Sequence, residues 1–241
     1  MGKKIRVQKR GKGGSQYRSL GHRKVAPVTI PNKTESKKVG TVKELRHETG
    51  RGSPLSKIRL EDGNVFYNVA PEGTALGQKI EFGTGSSIGI GNILPLGEIS
   101  AGTMVCNVEF SPGDGGKIAR SSGTFVTVVS HTPEGTEIRL PSGKTKYIND
   151  NCRATIGVVS GGGRTDKPFL KAGAKAKWMK SKGHLYPVTK GVSMIAASHP
   201  HGGGRHRASS LKPTSVSKTS PPGQKVGLIA PRQSGRKKRR R

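Results

Sequence analysis

With 241 residues, of which only 30% are apolar and 36 are glycine, the chain lacks the side chains for one large core and fits small β-domains with long irregular segments. A formal charge of +30 excludes a self-contained globule, because such a protein repels itself until a polyanion neutralises it. No apolar run approaches the roughly 18 residues of a membrane span and no amphipathic helix shows a broad apolar face, so the polyanion is a nucleic acid.

The chain opens on "MGKKIRVQKR", which is basic but has no apolar stretch after it and so does not read as a secretory signal. Residues 1–38 hold 12 Lys and Arg against one acid, Glu35. Residues 39–166 hold 13 of each sign and are neutral. Residues 167–241 hold 19 Lys and Arg and no acid at all. A neutral middle thus lies between two cationic arms. The arms are too poor in core-forming residues to offset their chain entropy, which predicts disorder when they are free in water.

The neutral middle reads as β. Candidate strands are "VGTVKELRH" (39–47), "LSKIRL" (55–60), "NVFYNVA" (64–70) and "GQKIEF" (77–82), with a hairpin turn at Asp62-Gly63 and another turn in "APEGT". The Gly-rich "GTGSSIGIGN" (83–92) resembles a linker. A second series follows: "GTMVCNVEF" (102–110), "TFVTVVS" (124–130), "TEIRL" (136–140), "KTKYIN" (144–149) and "RATIGVVS" (153–160), with a turn at "PSGK". Two small β-barrels joined near residue 90 are predicted, since closure also removes exposed strand edges. Cys106 and Cys152 make neither a metal-ligand pair nor a disulfide framework, and predict two buried thiols in a reducing compartment.

The glycines do not form a phosphate-binding loop. "GDGGKI" lacks the first Gly and the Ser or Thr after Lys117, and "GTGSSIGIGN" has no complete GxGxxG and opens no helix. Backbone N–H groups of "SPGDGG" offer only a weak phosphate signal. The stretch "GGGRTDKPFLKAGAKAKWMKSKGH" (161–184) is more telling. It sets Arg164, Lys167, Lys171, Lys175, Lys177, Lys180 and Lys182 around Phe169 and Trp178, a pattern that pairs with phosphates and stacks on bases. Trp178 has a second reading, as an anchor packing on the second barrel.

"HPHGGGRHR" brings together His199, His201, Gly202, Gly203, Gly204, Arg205, His206 and Arg207. The H-x-H-x4-H spacing has no Cys, Asp or Glu within thirty residues to complete a zinc site, and a divalent cation is disfavoured in so basic a segment. No nearby acid is present to orient an imidazole as a general base. RNA contact is the expectation, with glycines letting the backbone approach where a side chain would clash.

"VCNVEFSPGDGGKIARSSGT", "CRATIGVVSGGGRTDKP", "KAGAKAKWMK" and "HPHGGG" together resemble the second large-subunit ribosomal protein family, and "MGKKIRVQKRGKGG" and "SPPGQKVGLIA" resemble its archaeal/eukaryotic branch. One departure stands before His199, where the family often has Asn-Pro or Asn-Ala and then Val-Asp but this chain reads "IAAS". The resemblance implies a mostly β protein. It has a basic extension (1–38), an OB-like barrel (39–90), an SH3-like barrel (91–170) and a second basic extension (171–241) threaded into rRNA. It implies a structural, non-enzymatic rRNA binder near the peptidyl-transferase centre, supporting subunit association, tRNA binding and peptide-bond formation. Its implied partners are large-subunit rRNA, other ribosomal proteins and the small subunit at the interface, with no membrane and no homo-oligomer, in cytoplasmic ribosomes. No cofactor is expected beyond Mg2+ carried by bound rRNA. Arg120 in "KIARSSG" and Arg153 in "CRAT" are expected to contact rRNA, with internal ion pairs as the other reading. Two rival functions remain open at this point: a general nucleic-acid packaging protein, which the charge alone permits, and a catalytic component acting through His199.

Overall fold

A computed structural model describes residues 3–31, 37–204 and 215–232. The chain divides into two compact units, one of residues 20–170 and one of residues 1–19 with 171–241.

The unit of residues 20–170 is mostly β. Its strands are β1 (Lys38–Arg46), β2 (Leu55–Leu60), β3 (Val65–Val69), β4 (Lys79–Phe82), β5 (Ile93–Pro95), β6 (Met104–Cys106), β7 (Val126–Thr132), β8 (Gly135–Arg139), β9 (Thr145–Ile148) and β10 (Arg153–Ile156). They form one ladder in the order β3-β2-β1-β4-β5-β10-β6-β7-β8-β9. Two of the three turns named from sequence close hairpins: Gly63 (φ +81°) and Gly143 (φ +82°) adopt the left-handed backbone that closes β2–β3 and β8–β9.

Two apolar cores sit along this ladder. Ile30, Val42, Ile58, Leu60, Phe66, Ile80, Phe82 and Ile93 fill the first half. Leu94, Leu96, Ile99, Val105, Val126, Ile138, Cys152 and Ala154 lie in the core of the second. The arrangement is consistent with an OB-like half followed by an SH3-like half. The halves are not beads on a linker, however. β4 and β5 pair in parallel at Phe82 and Ile93, and a third cluster of Val28, Leu55, Val69, Cys106 and Val159 draws on both. Buried amides cross as well: Asn68 Nδ2 donates to Thr155 Oγ1 at 3.0 Å, and Asn107 Nδ2 donates to Asn68 Oδ1 at 2.9 Å. The expected linker 83–92 is held by carboxylates, with Glu98 accepting from Gly85 N–H at 2.8 Å and Glu81 from Ser87 N–H at 2.7 Å.

Cys106 and Cys152 are free, buried thiols. Burial pushes Cys106 up to about 12 and Cys152 to about 11, so neither is a nucleophile at neutral pH.

In the other unit, the described parts of the arms carry local structure. Helix α1 (Arg6–Gly11) is tied at its start by Gln8, whose side chain accepts the Ile5 N–H at 3.0 Å. Helix α2 (Ala172–Ser181) follows from "AGAKAKWMKS", which is rich in the strong helix formers Ala, Lys and Met. It stops at Gly183 (φ +72°), where Gly183 N–H donates to Lys180 O and His184 N–H to Met179 O. The short strands β11 (Ser215–Val216) and β12 (Leu228–Ile229) pair in parallel. Among the described residues no helix is long and apolar enough to cross a membrane.

Candidate nucleic-acid interface

Three loops of the β unit meet around guanidinium groups. Gly52, Ser122 and Gly161 belong to different loops, and Arg164 Nε and Nη2 each lie 3.4 Å from Ser122 Oγ. A Cβ at Gly52 would fall 2.5 Å from Arg164 Nη2 and 2.7 Å from Ser122 Oγ, so a side chain there would displace the guanidinium from its present position. Gly123 (φ +70°) faces Gly162 so closely that a Cβ would sit 2.7 Å from its Cα. Next to Gly52 in the chain, Arg51 is bonded through Nε to the buried Glu48. Arg120 is close enough to feel Arg51: burial first, then the Arg51 charge, draws its guanidinium below the usual range. Arg51 and Arg120 are like charges held near one another, with Glu48 and Asp114 offsetting part of their repulsion, and an anion would offset more. The run from Gly161 through Leu170, which contains Arg164, Lys167 and Phe169, is exposed at every residue.

Arg153 is not part of this surface, contrary to expectation. It is only 7% exposed and its donors are used inside the protein. Nε and Nη2 donate to Glu109 at 3.1 and 2.6 Å, the Arg153 backbone N–H donates to the same carboxylate at 2.9 Å, and Nη1 bonds the Pro31 carbonyl. A fully buried carboxylate is costly unless paired and hydrogen-bonded, and this pair supplies both. Arg120 has a mixed position, half-buried, with Nη1 donating to Gly116 O at 2.9 Å and Nη2 to Val28 O at 3.1 Å. The "SPGDGG" amides are also occupied. Gly113 and Gly115 N–H donate to Glu109, and Phe110, Ser111 and Gly116 N–H donate to Asp114, leaving no phosphate nest.

The second unit presents cations from α2 and the histidine loop. Lys171 caps α2, Lys177 and Lys180 are exposed on it, and Lys175 and Trp178 are half-buried. Lys182 lies 4.1 Å over the Trp178 ring and Lys175 lies 5.4 Å over Tyr186. An indole already covered by an ammonium on one face keeps at most its other face for a base.

The "HPHGGG" loop is more ordered than its composition suggests. His199 Nδ1 accepts the His201 N–H at 3.0 Å, and Gly202 N–H donates to His199 O at 2.8 Å. A ring nitrogen that accepts carries no proton, so the neutral imidazole holds its hydrogen on Nε2 and offers a donor there. Burial first, then His201 and Arg6, pull His199 below the ordinary histidine range, so the ring is neutral at pH 7. The partner that fixes the tautomer is thus a backbone amide rather than the absent carboxylate. The glycines serve the loop itself before any RNA: a Cβ at Gly202 would fall 2.4 Å from Ile195 O, whereas Gly204 has nothing within 4 Å. Beside the loop, Lys3, Lys4, Gln8, Ser198 and His199 line a cavity of about 320 Å3 that contains no acid. Arg205, His206 and Arg207 lie outside the described residues. Among the described residues no three His, Cys, Asp or Glu gather as a metal site.

Arg51 and Ser122 are not legible as site residues in the sequence. Arg51 belongs to none of the quoted motifs, Ser122 sits in "KIARSSG" without a chemical signal of its own, and only the folded loops bring them to Arg120 and Arg164.

A family model described as "Ribosomal Proteins L2, C-terminal domain" matches residues 89–220. A protein of Korarchaeum cryptofilum named large ribosomal subunit protein uL2 is 52% identical over 241 residues, covering 100% of this chain and 98% of that protein. Proteins of the same name are similar to the chain in Thermofilum pendens (47% identical, 99% of this chain and 97% of that one) and in Methanococcus vannielii (46%, 98% and 100%).

Proposed function

The chain belongs to the uL2 family of large-ribosomal-subunit proteins, and from that premise we propose that it binds rRNA directly, near the peptidyl-transferase centre. As a member it is a structural constituent of the large subunit. In the proposed role it supports subunit association, tRNA binding and peptide-bond formation by holding RNA, with other ribosomal proteins and the small subunit as neighbours. It acts in cytoplasmic ribosomes as a monomer, and takes no cofactor apart from Mg2+ brought by the RNA.

The observation that carries this reading is the exclusion of acids over residues 167–241, where 19 Lys and Arg stand alone. The described part of that segment folds into a lysine-bearing helix and a tight donor loop, a form suited to setting cations along a winding polyanion. His199 fits a hydrogen-bond donor through Nε2–H rather than a general base, since Nδ1 is engaged and the neighbouring charges are cationic. Packaging of nucleic acid in general is the weaker reading, because Arg51, Arg120 and Arg164 are carried on packed loops of the folded β unit rather than spread along a tail.

Footprinting on large-subunit rRNA tests the proposal. Wild type should protect one compact region, and Arg51→Ala or Arg120→Ala should each weaken binding by about 1–3 kcal/mol, the range for hydrogen bonds to charged groups. Diffuse protection, or unchanged affinity in both variants, overturns it.

A further inference from the structure

One face of the β unit looks unlike an RNA surface. Leu76, Ile88, Ile90 and Met104 are 65%, 51%, 52% and 48% exposed. The backbone that carries Leu76 and Met104 is tied to that of Ile90 and Gly157. The Ile90 side chain reaches over Gly73 and Gly157, where added Cβ atoms would lie 3.9 and 3.6 Å from it. Its carbonyl accepts Gln78 Nε2 at 2.8 Å, which fixes the turn that carries Leu76, and Gly157 N–H donates to Met104 O at 2.9 Å. The patch therefore sits on a hydrogen-bonded frame and is not a loose loop.

Its charge is reversed relative to the rest of the chain. Residues 80–116 contain four acids and no Lys or Arg, in a protein of net charge +30. Glu109 and Asp114 are consumed by their own loop, but Glu81 and Glu98 frame the segment that bears Ile88 and Ile90, and Glu72 is exposed beside Pro71. Glu81 is held at about 2 by the Ser87 N–H and by Lys37, whose ammonium lies 2.9 Å away and already balances its charge, so Glu72 and Glu98 are the carboxylates left to a partner. Between Arg59 and Lys117 the single Lys or Arg is Lys79. Phosphates gain nothing from such a face, and isoleucine and leucine side chains offer a nucleic acid no hydrogen bond.

We propose that the patch of Leu76, Ile88, Ile90 and Met104, framed by Glu72 and Glu98, docks a lysine- or arginine-rich segment of another protein that seats an apolar side chain against Ile90. The apolar floor supplies the anchor and the carboxylates select a basic partner, the division of labour of protein–protein interfaces. The proposal goes beyond rRNA binding and uses none of the residues assigned to it.

The test uses full-length chain in purified large subunits, with photoreactive benzoylphenylalanine placed singly at Leu76, Ile88 or Leu170. After irradiation and nuclease digestion, adducts are identified by mass spectrometry. Positions 76 and 88 should crosslink to one protein, through a peptide with an excess of Lys and Arg. Adducts from 76 and 88 that are only to rRNA, only to acidic or neutral peptides, or absent, overturn the proposal. Leu170 is 98% exposed and follows the basic exposed run. Failure of Leu170 to give an rRNA adduct would count against rRNA binding alone, so the two failures are distinguishable. In parallel, Leu76→Asp should cut the occupancy of the crosslinked protein about tenfold in purified subunits while the chain itself remains stoichiometric. Full occupancy of that protein in the variant also refutes the idea.

Discussion

Replacing Arg153 by Ala should cost fold stability rather than RNA affinity. The substitution removes two donors from Glu109 (Nε at 3.1 Å and Nη2 at 2.6 Å) and one from the Pro31 carbonyl. Three N–H donors to Glu109 remain, from Gly113, Gly115 and residue 153 itself. The carboxylate has no exposure, so its charge is left buried without a counter-charge. Breaking a buried pair in this way costs about 3–5 kcal/mol. Denaturant unfolding of the full chain, followed by circular dichroism, should show the unfolding free energy fall by that amount. The double substitution Arg153→Met with Glu109→Gln should recover most of the deficit, because it removes the uncompensated charge and leaves a neutral group with N–H donors. Binding of large-subunit rRNA, measured per folded molecule, should stay unchanged. A destabilisation below about 1 kcal/mol together with affinity weakened about tenfold would show that Arg153 reaches RNA and that the Glu109 pair is incidental.

Gly202→Ala should block incorporation into subunits more severely than Gly204→Ala, as quantified by co-sedimentation: its Cβ meets Ile195 O at 2.4 Å, while Gly204 has open space and only an unfavourable φ of +82° to overcome. The His199 imidazole should titrate below its ordinary 6.5 by NMR, and His201→Ala should raise it by removing one of the lowering charges. Because the folded value is the lower one, the unfolded chain binds the extra proton first, so this residue's contribution is intact above about pH 6.5 and fades as pH falls below it. Stability rising on acidification through that range would contradict the assignment. Deleting residues 205–241, which hold 12 Lys and Arg, should flatten the log–log salt dependence of rRNA binding by about 0.7–0.9 for each phosphate that the shortened chain leaves unneutralised. An unchanged slope would mean that this arm neutralises no phosphates.

The strands are legible because their residues obey local rules. Alternating burial in "LSKIRL" and the Asp62-Gly63 and Ser142-Gly143 turns place β2, β3, β8 and β9 within a residue or two. β5 has no such signal, since three residues before a proline-bounded turn have no period to read. "GTMVCNVEF" reads as nine strand residues and shortens to β6, because Asn107 takes a left-handed φ of +47° and breaks the run. Counting charge finds the cationic arms but not the guanidinium cluster. Arg51 and Arg164 are more than a hundred positions apart, and nothing local distinguishes Arg120, near the guanidinium surface, from Arg153, buried against Glu109. Only the burial of Glu109 separates them. The tautomer of His199 is equally invisible in the sequence, because its partner is a backbone amide and backbone amides have no sequence signature.

The segment 28–31 has a temporal consequence. Ile30 belongs to the first core, yet the Val28 and Pro31 carbonyls are bound by Arg120 and Arg153, which are 92 and 122 positions downstream. At about 5–20 residues per second of synthesis, Arg153 is made roughly 6–25 s after Pro31. Through that interval the amino-terminal strap waits without its full pair of clamps. β10 is equally late and enters the ladder between β5 and β6, strands already made. Closure of the β unit therefore waits for "CRAT", and the order of translation makes this short stretch the final stitch of the domain.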